Sequence, residues 1–395
     1  MTDILAVKQA YDGSEIDHIP LAPWDQADRW LERATELHQD NENRLPAFKR
    51  IEILERLTGL LDSQRDEFSL LIAREGGKPL ADARIEVDRA VNGIKLAIEE
   101  IGRLSGTEIP MDLTAAGAGR TAFTKREAIG PVVAISAFNH PLNLIVHQVV
   151  PAIAVGCPVI VKPANTTPLS CLRFVGLVHQ AGLSEDWCKA IVCNIPTAER
   201  LVTDPRVAFF TFIGSAKIGW HLRSKLAPGT RCALEHGGAA PVIVAKDADL
   251  DAVIPSLVKG GYSHAGQVCV SVQRIFVDDA IKNQFVEQFS AAVASLRVGD
   301  PTDEATEVGP LILPREVDRV ESWVKDAIDG GALASTGAQR SGEYVYQPSV
   351  LIETPMRAQV STLEIFGPVT CIYGYSNLEH AVKRANELPV AFQSA

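Results

Sequence analysis

No stretch of the 395 residues is apolar for long enough to cross a bilayer, and no basic start leads into a short apolar segment. Neither a spanning helix nor a secretory leader is therefore predicted, and a soluble, cytoplasmic protein is expected. Basic residues are in the minority, 38 Lys and Arg against 49 Asp and Glu for a formal net charge of -11. A body of that sign repels a phosphodiester backbone and an anionic lipid surface, which argues against nucleic-acid and membrane partners and leaves a small molecule as the expected one. Cysteine pairing is also missing. The seven cysteines are odd in number and scattered, with no CxxC and no His-spaced pair, so neither a disulfide framework nor a metal site is signalled. Repeats and low-complexity segments are absent as well.

What is present is a large apolar fraction, 46%, in an alternation of strand and helix patterns. The N-terminal third places apolar residues three and four apart in "LPAFKRIEILERLTGLLDSQRDEFSLLIAREGGKP" and "ARIEVDRAVNGIKLAIEEIGRL", which predicts helices. After the polar "MDLTAAGAGR" the order turns to βαβα: a strand near Val132 to Ser136, a helix from Pro141 to Ala154, "PVIVK", a helix from Pro168 to Ala181, and "VAFFTFIG". That order implies an α/β fold with a parallel sheet covered on both faces. A second α/β region follows, carrying "QRIFVDD", "EVGPLI" and "LEIFGPVTCIYGY", with a boundary near Gly237.

Several residues stand out for their chemistry. "GAGRTA" matches a dinucleotide fingerprint on letters through Gly117, Gly119 and Ala122, but polar residues precede it and no apolar helix follows, so a surface hairpin is the better reading. Gly214 and Ser215 end an apolar strand and open a helix, a geometry whose backbone N–H groups cradle a pyrophosphate. Lys162 ends the strand "PVIVK", and strand C-termini in open α/β sheets face the ligand crevice. Six cysteines are explained as small apolar fillers. Cys269 differs, because Gly260, Gly261 and Gly266 precede it and let backbone approach a ligand closely.

The motifs "FNHP", "VKPAN", "FIGSAKIG", "EHGGAAPVIV", "GQVC" and "EIFGPV" stand in an order and spacing that resembles the aldehyde dehydrogenase superfamily, from about the first long helix to the last residue. The resemblance implies a Rossmann-like domain for NAD(P) at 1–107 and 129–236, an oligomerisation hairpin at 108–128 and an α/β catalytic domain at 237–395. It implies Cys269 as the nucleophile, Asn139 as oxyanion donor and Glu235 as general base, with a hemithioacetal and then a thioester on the thiol. Lys162, Asn165, Gly214, Ser215, Gly237, Glu364 and Phe366 fall on cofactor-binding positions. A homodimer or homotetramer is the implied assembly where the C-terminal region is complete. Singly, each residue has a plainer reading: Glu235 as a salt-bridged carboxylate, Asn139 as a turn residue before Pro141, Phe366 as core. At family spacing they read together as a site.

Departures sharpen the expectations. His140 stands where a second aromatic is common, His236 replaces a leucine, and Leu363 replaces an acidic residue. Asn165 takes the place of a glutamate common in NAD-preferring members, so NADP is expected to be accepted. Asn139, Asn143 and His147 are four apart, which predicts one polar helix face and a short, polar aldehyde, with Asn143 and His147 binding substrate and Arg120 as a further anion partner. The ending "ANELPVAFQSA" stops in what the family continues as a strand. Part of the catalytic domain and the hairpin's partner strand are then expected to be missing, with lower stability and activity as the result. A catalytically impaired homologue that keeps nucleotide or assembly contacts, and a CoA-acylating semialdehyde dehydrogenase, remain alternatives; the latter would not need Glu235.

Overall fold

The computed structural model describes residues 3–42, 44–389 and 392–395. Two five-stranded sheets carry the architecture, each with its own apolar core. The first is wholly parallel. Val132–Ile135 is its central strand, flanked by Val159–Lys162 and then Cys188–Ala190 on one side, and by Phe209–Ile213 and then Arg231–Glu235 on the other.

Alternation along these strands explains the double covering. Val132, Ala134, Val159 and Val161 pack with the helices Ala47–Ser63, Leu80–Ile101, Asn143–Val155 and Leu169–Gln180. Val133, Ile160, Phe210 and Phe212 face the opposite core, with Ala27 and Leu31 of the helix Trp24–Gln39. Both faces are buried, as a parallel sheet requires.

In the second sheet Ala240–Val244, Val272–Asp278, Val369–Tyr375 and Ser349–Ile352 run parallel, and Leu333–Thr336 closes the far edge antiparallel. At the near edge the backbone of Ala395 accepts from Ile243 N at 2.9 Å and donates to Pro241 O at 3.3 Å, continuing the sheet by one residue. Among the described residues no helix is long and apolar enough to cross a membrane.

The predicted α/β alternation matches this architecture. Differences lie in short or solvent-facing elements. Ile4–Lys8 pairs with Glu15–Pro20 ahead of the first helix, and Cys188–Ala190 and the helix Ile195–Val202 complete the first sheet's edge; none of these was predicted. "EVGPLI" forms only an isolated bridge, Val308 with Val298, because Gly309 and Pro310 follow at once. The segment 108–128 pairs over two residues, Glu108 with Phe123 and Ile109 with Ala122, while Gly117, Gly119 and Arg120 lie in turns between them.

Candidate active site

Four ends of the first sheet point their loops at one crevice, the place where open parallel sheets bind ligands. The segment after Val132–Ile135 turns through Phe138, Asn139 and His140, and the helix begins only at Asn143. Asn139 therefore sits in the turn and not on the helix face predicted for it. The helix is delayed because its opening N–H groups, Leu142 and Asn143, both donate to Glu86 Oε1, at 2.9 and 3.0 Å. Glu86 in turn pairs with Lys78, and both side chains are buried. Asn139 is itself buried and donates one amide hydrogen to Gln267 O at 2.9 Å.

Cys269 arrives from the other lobe. The helix Leu250–Tyr262 ends in a sharp reversal where His264, Ala265 and Gly266 all take positive φ, 50°, 55° and 69°. Such conformations cost roughly 1–3 kcal/mol at a non-glycine residue and persist only where the surroundings enforce them. The enforcement is visible. A Cβ on Gly266 would lie 2.1 Å from Gly367 O. Gln267 Nε2 donates to His264 O and Pro310 O, at 3.2 and 3.1 Å, and its Oε1 accepts from Ile312 N at 2.9 Å.

Two residues on, the half-buried Cys269 thiol comes close enough to Glu235, the last residue of the first sheet's edge strand, for the carboxylate to act on it. Burial first, then the charge and hydrogen bond of Glu235 and the charge of Glu364, push the thiol up to about 12.

The segment after the short helix Gln359–Thr362 brings Glu364 and Phe366 to the same place. Buried Gln273 holds it, donating to Val360 O at 2.8 Å and Leu363 O at 2.7 Å and accepting from Ile365 N at 3.0 Å. Glu364 presses on Gly237 so closely that a Cβ there would lie 1.7 Å from Glu364 Oε1. That oxygen is buried without a hydrogen-bond partner, and burial pushes the carboxyl up to about 7. Phe366, at φ 45°, meets Phe138 edge to face with ring centroids 5.7 Å apart.

At the remaining strand ends, Lys162 Nζ donates to Asn165 Oδ1 at 2.8 Å. Gly214 N donates to Glu235 O at 3.1 Å, and exposed Ser215 opens the helix Ala216–Arg223. His236 fits where a leucine was expected by resting between Phe212 and Trp220, its Nδ1 3.2 Å from Gly214 O.

Asn139, Glu235, Cys269, Gly237, Glu364 and Phe366 are thus linked by direct contacts or through one another. Asn143 is buried with Oδ1 unpartnered, His147 is exposed and packs near Gly93, and Arg120 stays in its exposed turn.

A cavity of about 480 Å³ is lined by Val268 and Val270, the neighbours of Cys269, and by Gln393, Ser394 and Ala395; Cys269 itself, Asn143, His147 and Arg120 do not line it. Sequence reasoning overlooked Lys78, Glu86, Gln267 and Gln273. Glu86 did leave a signal, a carboxylate within the apolar stripe of Ala83, Val87 and Ala90. Among the described residues no cluster of three or more His, Cys, Asp or Glu side chains is placed to hold a metal ion.

A family model described as "Aldehyde dehydrogenase family" matches residues 2–395. A 3-sulfolactaldehyde dehydrogenase of Priestia aryabhattai is 35% identical over 353 residues, 89% of this chain and 74% of the relative. The crystal structure of aldehyde dehydrogenase 21 from Physcomitrella patens, in complex with the reaction product succinate, superposes with a TM-score of 0.95 at 34% identity, over 100% of this chain and 82% of that one. A glyceraldehyde-3-phosphate dehydrogenase from Methanocaldococcus jannaschii complexed with NADP gives 0.93 at 32% identity, over 100% and 85%.

Proposed function

The chain belongs to the aldehyde dehydrogenase family, and from that premise we propose that it oxidises a short, polar aldehyde to the carboxylic acid with NAD(P)+ through a thioester on Cys269. The observation that carries the reading is the thiol of Cys269 set against the carboxylate of Glu235, with the Asn139 amide anchored two residues away at Gln267. A thiol pushed up to about 12 is protonated at neutral pH, so its proton must leave as sulfur attacks. Glu235 is the acceptor in place. The carbonyl oxygen becomes an oxyanion. Asn139 spends one amide hydrogen on Gln267 O and keeps the second for that oxyanion, alongside the Cys269 backbone N–H. A preorganised donor of this kind contributes about 3 kcal/mol in the transition state.

The crevice fits the cofactor by its own features. Glu364 Oε1 is a buried acceptor lacking a donor, suited to a ribose hydroxyl, and Gly237 leaves no room for a side chain beside it. Lys162 and Asn165 would hold the other ribose, Gly214 and Ser215 the pyrophosphate, and Phe366 would pack near the ring. When bound, NAD(P)+ supplies the hydride acceptor. Once it has passed the thiol's proton to solvent, Glu235 takes a proton from the water that opens the thioester, the Cys269 thiolate is expelled, and the acid leaves.

A short polar substrate is supported by relatives named for 3-sulfolactaldehyde and glyceraldehyde 3-phosphate and by one solved with the reaction product succinate. The test is an absorbance assay of cofactor reduction over an aldehyde panel with both NAD and NADP. Cys269→Ala is expected to abolish turnover while cofactor binding survives. Glu235→Gln is expected to slow both the first appearance of reduced cofactor and the later turnover, because the attack and the hydrolysis each deliver a proton to Glu235. Turnover near wild type in Cys269→Ala removes the thiol from the mechanism.

A further inference from the structure

One buried amide ties the strand that follows the nucleophile to the segment that carries Glu364 and Phe366. Gln273 is the second residue of the strand Val272–Asp278, four positions beyond Cys269. Its side chain serves a single partner segment. Nε2 gives a hydrogen each to Val360 O and Leu363 O, and Oε1 accepts from Ile365 N.

That segment cannot hold itself. From Leu363 to Phe366 the chain is neither helix nor strand, Phe366 takes φ 45°, and Glu364 buries an oxygen that has no partner. Strained and unpaired groups of this kind persist only where the surroundings fix the backbone. The two backbone groups on either side of Glu364, Leu363 O and Ile365 N, are both bound by Gln273. The next carbonyl, Ile365 O, accepts from Arg319 Nη2 at 2.7 Å. Behind them Gly367 seats against Val320, where a Cβ would lie 2.6 Å from the nearer methyl.

We propose that Gln273 is a positioning residue for hydride transfer: by fixing the backbone on both sides of Glu364, it sets where Glu364 and Phe366 hold the nicotinamide end of the cofactor relative to the Cys269 thiol. The inference rests on the aldehyde-oxidising reading and deepens it. Gln273 acts through Glu364 and Phe366 and touches neither substrate nor cofactor. A reacting group misplaced by about 1 Å costs on the order of a hundredfold in rate, so a loosened segment slows hydride transfer as well as weakening cofactor binding. The attack of the thiol is anchored elsewhere, Asn139 at Gln267 O and Glu235 at the end of its strand, and does not pass through Gln273.

Ester hydrolysis by the full chain separates positioning from a merely structural role. With p-nitrophenyl acetate the sulfur attacks the carbonyl, p-nitrophenolate leaves, and water opens the thioester to acetate, so the thiol is used and no hydride moves. Gln273→Met keeps the volume and removes all three hydrogen bonds. It is expected to lower kcat for aldehyde oxidation at saturating cofactor at least tenfold and to weaken NADH and NADPH binding at least fivefold by fluorescence titration, while ester hydrolysis falls less than threefold. Where wild type does not hydrolyse the ester, the alkylation rate of Cys269 by iodoacetamide takes its place. Gln273→Glu, whose buried carboxyl when protonated keeps the acceptor and one donor, is expected to fall between, its cofactor binding tightening relative to wild type as pH is lowered. Should Gln273→Met not fold, Gln273→Glu is read by the same ratio. Equal losses of oxidation and thiol reactivity, or oxidation and cofactor affinity both near wild type, overturn the proposal. Failure of wild type to oxidise any aldehyde sinks the dehydrogenase reading instead, and the cofactor titration then decides the role of Gln273 alone.

Discussion

A carboxylate against a half-buried thiol raises the thiol, so Glu235 suppresses Cys269 in the resting protein and, in the proposed mechanism, accepts its proton when an aldehyde arrives. The sign is testable. Iodoacetamide alkylation of Cys269 is expected to be slow near neutrality and to rise about tenfold per pH unit below about 12, since only the thiolate reacts. Glu235→Gln removes one cause of the elevation, lowers the thiol's range and speeds alkylation at pH 8 by several-fold; mass spectrometry of the modified peptide reads the rate. Gly237→Ala puts a methyl onto Glu364 Oε1, a contact of 1.7 Å before relaxation. It is expected to weaken cofactor affinity at least tenfold by fluorescence titration, with little change in melting temperature. For cofactor choice, Asn165→Glu would set a negative charge beside Lys162 where a 2′-phosphate would lie, and NADP affinity is expected to fall more than NAD affinity.

Two buried glutamates organise the helices that frame the crevice, and both act at helix N-termini where a carboxylate is favoured. Glu86 takes the first N–H groups of Asn143–Val155, and Glu75 takes Leu169 N at 2.8 Å and Ser170 N at 2.9 Å at the start of Leu169–Gln180. Breaking a buried pair strands its partner, so Glu86→Ala is expected to cost roughly 3–5 kcal/mol in denaturant unfolding, with Glu86→Gln milder. Burial pushes Glu75 up to about 7 from its ordinary 4.5. A raised carboxyl contributes stability that is fully present below about pH 4.5 and lost as pH climbs through about 7. The melting temperature of wild type minus that of Glu75→Gln is therefore expected to fall across that window by calorimetry.

These caps also show where sequence reading stops. The strand-end residues Lys162, Gly214 and Glu235 were legible because the βαβ pattern and the resemblance place them. Glu86 was hidden in a helix whose periodicity assigned it a face but not a partner fifty-six residues away. The helix start at Asn143 was misread for the same reason, since its cap comes from another element.

The two lobes meet where glycines interlock. A Cβ on Gly309 would lie 2.1 Å from Gly77 O, and one on Gly77 2.8 Å from Pro310. Nearby, Arg84 grips Glu304 with two hydrogen bonds of 2.7 and 2.6 Å, but both side chains are solvated. Close packing outweighs a solvated ion pair. Gly309→Ala is accordingly expected to lower stability by roughly 1–3 kcal/mol, whereas Arg84→Ala leaves the unfolding midpoint unmoved. Lobe contacts of this kind were illegible in sequence, because each is a coincidence of two distant backbones. The proposed nucleophile and its proton acceptor hang from opposite lobes, Cys269 ahead of the second sheet's strand Val272–Asp278 and Glu235 at the end of the first sheet's edge strand. The gap between them is thus a mechanical variable. Hydrostatic pressure or a substitution at the glycine contact is expected to shift it without touching either side chain, so in the proposed mechanism the rate of thioester opening would serve as a strain gauge for the cleft.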